Sequence, residues 1–185
     1  MFAAAQSPSA AFDVVCLTAS LAGVSAYREI LSALPVRLLR DADQLSPGVV
    51  HVVPAGLRAA FSPECGVSLH PVHDHSAADP TFTSAAAAFG PRLLVAVLTG
   101  RQQDGALGVR HVRGAGGRAL AQVLATSEAP GMPSVAMATG CADFVLLLPV
   151  LAHALISLVM VPGAADMMRV SLPPWAAVIP SAMAT

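Results

Sequence analysis

Short apolar runs alternate along this chain with stretches whose apolar residues recur at helical spacing. The first run, 14–17 (Val-Val-Cys-Leu), predicts a buried strand. A turn and a helix follow over 20–34, where Val24, Tyr27, Ile30, Leu31 and Leu34 keep helical spacing while Arg28 and Glu29 fall off the stripe. Pro35 stops that helix. A β-branched run at 49–53, opened by Pro47-Gly48, predicts a short strand, and 65–70 a further one. Residues 70–79 read as a polar loop. The next helix spans 79–89, with Phe82, Ala85, Ala86 and Phe89 on one face and Gly90-Pro91 as its stop. The wholly apolar run 93–98 predicts a core strand, then come a helix over 105–114 and a strand over 118–123. A loop at 126–133, a short helix at 134–139, a strand at 144–148 and a helix at 149–160 complete the pattern. Strands alternating with helices imply an α/β fold, a doubly wound, mostly parallel sheet with helices on both faces. Residues 161–185 show no periodicity and are expected to form a loose C-terminal tail.

At 185 residues the chain is long enough for one domain with a full core. It is 55% hydrophobic and 11% charged, less than half the roughly 25% charged of an ordinary globular domain, so a covered face is expected. The net charge of −1, with no basic cluster, gives nucleic acid no electrostatic footprint, and no nucleic-acid partner is expected. Cys16, Cys65 and Cys141 are far apart and make no C-x-x-C pair, which argues against a zinc site or a disulfide framework. Cys16, inside the first strand, reads as a small core residue, and a reducing, cytoplasmic compartment follows. Residues 1–11 lack a basic region and carry Pro8, unlike a signal peptide. Residues 144–165 hold no formal charge and are long enough to span a bilayer, but Pro149 and Gly163 interrupt them. A buried strand followed by a helix opening with proline accounts for them better, so membrane contact is not expected.

Two turns carry the candidate chemistry. Ser20 closes the first strand just before a helix, where a hydroxyl can be exposed and helix N–H groups can hold an oxyanion. It equally suits a helix N-cap. Asp104 lies in a glycine-flanked turn after strand 93–98, where an acid can orient a histidine, or cap the helix at 105–114. His70, His73 and His75, with Asp74 and Asp79, match no zinc spacing and suit a solvated loop, so no metal is expected. His51 reads as a packing residue within its strand and His111 as solvated. Gly114, Gly116 and Gly117 precede a strand, the wrong order for a phosphate cradle.

Taken in order, these turns resemble the catalytic domain of bacterial chemotaxis protein-glutamate methylesterases, the CheB type. Thr18-Ala19-Ser20-Leu21-Ala22-Gly23 is similar to that family's Gly-Ala-Ser-x-Gly-Gly. Residues 47–54 resemble its Pro-Gly-x-x-Tyr-x-x-Pro, and Asp79, Phe82 and Ser84 its Asp-x-x-Phe-x-Ser. Residues 98–105 resemble Leu-Thr-Gly-Met-Gly-x-Asp-Gly. Ala115-Gly116-Gly117, Ala121-Gln122, Ala125-Thr126-Ser127 and Gly131-Met132-Pro133 continue the series. The likeness covers 13–160, leaving 1–12 as an N-terminal extension.

The resemblance implies hydrolysis of glutamate γ-methyl esters on the cytoplasmic helices of methylated chemoreceptors, often with glutamine deamidation, and no cofactor. It makes Ser20 the nucleophile and Asp104 the acid behind the histidine, with backbone N–H groups of Leu21 and Arg101 at the oxyanion. In the family the histidine follows the second strand. Here Leu34-Pro35 runs almost directly into 37–47, so one strand–helix unit and the histidine are expected to be missing. Thr18, Ala22, Arg101, Gln102, Val123 and Leu124 also depart from the family pattern. Such a chain is expected to be an impaired methylesterase, or a non-catalytic receptor-binding or decoy module, unless His51, His70 or a partner's histidine reaches Ser20. A missing strand would leave a bare sheet edge that invites association. No receiver domain is expected ahead of the similar region, so any phosphorylation control is expected to act through another chain.

Overall fold

The computed structural model describes residues 12, 14–19, 28, 35–73 and 76–161. Its centre is a four-stranded parallel sheet of β1 (Val14–Thr18), β6 (Leu93–Val97), β7 (Arg118–Gln122) and β8 (Phe144–Leu146), side by side in that order. Every residue of β6 is fully buried, as befits a central strand covered on both faces. Alternation divides its side chains. Leu93, Val95 and Val97 face the helices α1 (Ala78–Phe89), α2 (Ala106–Gly114) and α3 (Gly131–Ala138). Leu94, Ala96 and Leu98 face Leu151, Ala154, Leu155 and Leu158 of α4 (Leu148–Met160). Helices therefore cover both faces, and the α/β architecture with a mostly parallel sheet is as the sequence pattern predicts.

Two strand pairs were not fully legible. β2 (Val36–Leu38) pairs in parallel with β3 (Val50–Val52), and β4 (Leu57–Phe61) pairs antiparallel with β5 (Val67–Pro71). Neither β2 nor β4 shows a strand pattern in sequence. β2 is only three residues long and exposed throughout, and β4 is diluted by Ala59 and Ala60. Tertiary contacts make β4 a strand: its Ala59 and Phe61 N–H groups donate to Thr81 Oγ1 and Ser84 Oγ of α1. The helix expected at 134–139 begins three residues earlier, at Gly131. Pro133 does not block it, because a first-turn N–H has no intrahelical partner to lose.

The expected turn and helix over 20–34 lie outside the described residues apart from Arg28, which is helical. Among the described residues no helix is long and apolar enough to cross a membrane. At the amino end of the sheet, Asp143 accepts hydrogen bonds from the Ala119 N–H and Arg118, both at 2.9 Å, and pairs with Arg113. The candidate site lies at the other end.

Candidate active site

Parallel pairing brings the carboxyl ends of β1 and β6 together: Thr18 lies opposite Val97, and the Leu98 N–H donates to the Thr18 carbonyl at 2.8 Å. The segments carrying Ser20 and Asp104 leave the sheet from these neighbouring ends. Ser20 and Leu21 themselves lie outside the described residues.

Asp104 is buried, 6% exposed, and its carboxylate accepts four hydrogen bonds. Oδ1 takes the Ser76 hydroxyl at 3.0 Å and the Asp79 N–H at 2.9 Å; Oδ2 takes the N–H groups of Ala77 at 2.8 Å and Ala78 at 2.7 Å. These donors open α1, whose own N-cap position, Ala77, has no side-chain cap. Asp104 supplies that cap from a distant loop, and its charge lies where the helix dipole favours it. The cap reading of Asp104 thus needs a correction. It caps α1, not the helix that follows it, because Gly105 occupies that helix's own N-cap with φ 105°. The favour is returned by Asp79, in the first turn of α1, which accepts the Gly108 N–H of α2 at 2.7 Å. Ser76 was missed as a site residue. Its signal was Ser76-Ala77-Ala78-Asp79, the spacing of a helix-capping box, though here the serine and aspartate serve other partners.

The loop between β6 and Asp104 is pinned by buried polar groups that sequence reasoning also passed over. The Gln122 side chain accepts from the Thr99 N–H at 3.0 Å and donates to the Thr126 carbonyl at 2.7 Å. The Gly100 N–H donates to Ala129, and the Met132 N–H returns to Gly100. Arg101 is exposed, and its carbonyl, with that of Gln102, leaves no room for a side chain at Gly131: a Cβ there would sit 2.6 and 2.7 Å from the two oxygens. Glycine at 131 is therefore what lets the start of α3 lie against the candidate oxyanion segment.

The described histidines lie elsewhere. The four partners of Asp104 include no imidazole. His51 lies on β3 with its Nε2 buried and unpartnered, and His70 is exposed on β5. His111 bonds the Thr83 hydroxyl and His153 the Pro149 carbonyl, both at 2.8 Å. Asp74 and His75 of the polar loop lie outside the described residues. Among the described residues no three His, Cys, Asp or Glu side chains cluster as metal ligands. Beside the site, burial pushes the Cys16 thiol of β1 up from 9.0 to about 12.

The family model described as CheB methylesterase matches residues 25–155, well over half of the chain. The chain belongs to the CheB methylesterase family. Among similar proteins, this CheB-type chain is 37% identical over 139 residues to protein-glutamate methylesterase/protein-glutamine glutaminase 4 of Myxococcus xanthus (strain DK1622), covering 73% of this chain and 39% of that protein. It is 40% identical over 118 residues to protein-glutamate methylesterase/protein-glutamine glutaminase 3 of Anaeromyxobacter dehalogenans (strain 2CP-C), covering 61% of this chain and 34% of that protein. The chain thus spans well under half the length of these relatives. In fold it is similar to the crystal structure of the Thermotoga maritima CheB methylesterase catalytic domain, with a TM-score of 0.70, 21% identity, and coverage of 80% of this chain and 99% of that one.

Proposed function

We propose that this CheB-type chain is a protein-glutamate methylesterase-like domain whose turnover is impaired for want of a histidine. In the complete reaction the Ser20 hydroxyl attacks the carbonyl of a glutamate γ-methyl ester and a base takes its proton. N–H groups of Leu21 and Arg101 hold the oxyanion, methanol leaves, and water releases the glutamate. A glutamine side chain follows the same course, with ammonia as the leaving group. The substrate surface is the cytoplasmic helices of methylated chemoreceptors, and the compartment is the cytoplasm.

The observation that supports impairment is the occupancy of Asp104. An acid that orients an imidazole spends a lone pair on its N–H. Here all four acceptor positions are filled by Ser76, Ala77, Ala78 and Asp79, so the carboxylate works as a helix cap. The short sequence between Leu34 and Pro47 supports the same reading, since the family's histidine unit has no counterpart there. Without a base, what remains is the oxyanion hole and substrate binding.

Release of methanol from methylated receptor tests this directly. The expected rate is close to that of Ser20→Ala, with no labelling of Ser20 by a fluorophosphonate. Robust release abolished by Ser20→Ala overturns it. A second reading, a non-catalytic receptor-binding module, predicts that the chain still co-sediments with methylated receptor while releasing no methanol.

A further inference from the structure

Gln122 is the last residue of β7 and is 1% exposed, a primary amide that follows Ala119, Leu120 and Ala121 on a buried strand. Burying an amide is costly unless both of its ends are bonded. Here they are, and to different loops. Oε1 accepts the Thr99 N–H from the loop after β6, and Nε2 donates to the Thr126 carbonyl in the loop after β7. The partners fix which end is which, because a backbone N–H only donates and a carbonyl only accepts. A group that fits between them must accept at one end and donate at the other.

The two loops are also bonded to each other. The Thr99 hydroxyl accepts the Ala129 N–H at 2.8 Å and donates to the Ala129 carbonyl at 3.2 Å, and the Gly100 N–H donates to the same carbonyl at 2.7 Å. The Gly100 carbonyl in turn accepts the Met132 N–H at 2.9 Å. That last bond sets a direction. The Gly100 C=O and the Arg101 N–H belong to one planar trans peptide, in which they point opposite ways. With the carbonyl turned to the start of α3, the Arg101 N–H is turned away from it. β1, whose end leads to Ser20, lies on the far side of β6 from β7. Among the described residues the N–H groups of Leu98, Thr99 and Gly100 are all bonded, and that of Arg101 has no partner. The bonds at Ala129 and Met132 tie loop to loop, whereas those of Gln122 tie both loops to the end of the sheet. We infer that Gln122 is a positioning residue, which holds the Gly100–Arg101 peptide with its N–H available to an oxyanion. Its role at the oxyanion rests on the reading of Ser20 as nucleophile; its hold on the peptide does not.

Two readouts on the full-length chain test it. NMR scalar couplings across hydrogen bonds report the peptide. The coupling from the Met132 nitrogen to the Gly100 carbonyl carbon is expected in the unmodified chain and lost in Gln122→Met, which keeps the side chain's size without its polar ends. Labelling of Ser20 by a fluorophosphonate, with free imidazole as the base, reports the oxyanion. Its maximal rate is expected to fall roughly tenfold in Gln122→Met at an unchanged half-saturating concentration, short of the roughly 10²–10³-fold cost of losing an oxyanion donor outright. Gln122→Glu supplies a rescue, and replaces Gln122→Met if that variant does not fold. Burial raises the introduced carboxyl, and the protonated acid accepts and donates as the amide does. Relative to the unmodified chain, labelling of Gln122→Glu is expected to match at about pH 5 and to fall roughly tenfold by about pH 8, a pH dependence that lost packing does not give. A coupling that survives in Gln122→Met overturns the inference, as does labelling per folded molecule that neither variant alters. Labelling absent from the unmodified chain even with imidazole counts against the Ser20 reading, and the coupling then decides this inference alone.

Discussion

Four donors converge on the Asp104 carboxylate, and removing it strands several of them at a buried helix start. Asp104→Ala is expected to cost about 2–4 kcal/mol in urea unfolding, since a lost cap is compounded by unsatisfied N–H groups. Asp104→Asn costs less, because one oxygen still accepts while its NH₂ faces N–H groups. A smaller effect from Ala than from Asn would remove Asp104 as a cap. Cys16 supplies a second residue-scale expectation. With its thiol raised from 9.0 to about 12, it stays protonated and resists iodoacetamide at pH 8 in the folded protein, while Cys65 and Cys141 react sooner. Peptide mapping after alkylation reads this out. The sign for stability follows: the contribution is complete below 9.0 and is lost as pH rises toward about 12. Asp43 has the opposite sign. The Arg40 N–H first, and then the Arg37 charge, hold its carboxyl below the ordinary 3.8. That stabilisation is present above 3.8 and lost as pH falls through the depressed value, so Asp43→Asn flattens the acid limb of the urea midpoint against pH.

Between elements, the decisive contact is α1 against α2. They exchange acidic caps, and they approach closely only because Gly108 has no side chain: a Cβ there would lie 2.6 Å from the Phe82 Cβ. Gly108→Ala is therefore expected to destabilise by about 1–3 kcal/mol through overpacking, though alanine is the better helix former. Gly114, in the same helix, has nothing within 4 Å, and Gly114→Ala is expected to be neutral or mildly stabilising. Thermal or urea unfolding of the two variants separates packing from propensity. Equal effects would refute the close approach. The acids of this pair were visible in sequence, but their destinations were not. From its place in the sequence Asp104 suits either orienting a histidine or capping the helix next to it, whereas its hydrogen-bond partners lie 25 to 28 residues away. A cap is chosen by whichever helix start comes within 3 Å, and sequence spacing does not fix that distance.

For the molecule as a whole, impairment through a single missing base has a chemical consequence. If the hydroxyl and the oxyanion donors are otherwise in place, free imidazole in the buffer can take the proton. Adding it is expected to raise fluorophosphonate labelling of Ser20 in a dose-dependent way, and Ser20→Ala abolishes that labelling. Mass spectrometry of the labelled peptide measures it. Labelling that imidazole does not change would mean that more than the base has been lost.

Apolar periodicity alone determined the α/β class, the parallel strands at 14–17, 93–98 and 118–123, and the helices at 79–89 and 105–114, because alternation and helical spacing are local properties of the chain. The ordered turns likewise singled out Ser20 and Asp104. Only the tertiary structure decided that β2 and β4 are strands, that Ser76 and Gln122 belong to the site's framework, and that Asp104 is bound up in the start of α1. Each of these depends on hydrogen bonds between residues far apart in sequence, and such bonds exist only once the sheet has brought their loops together.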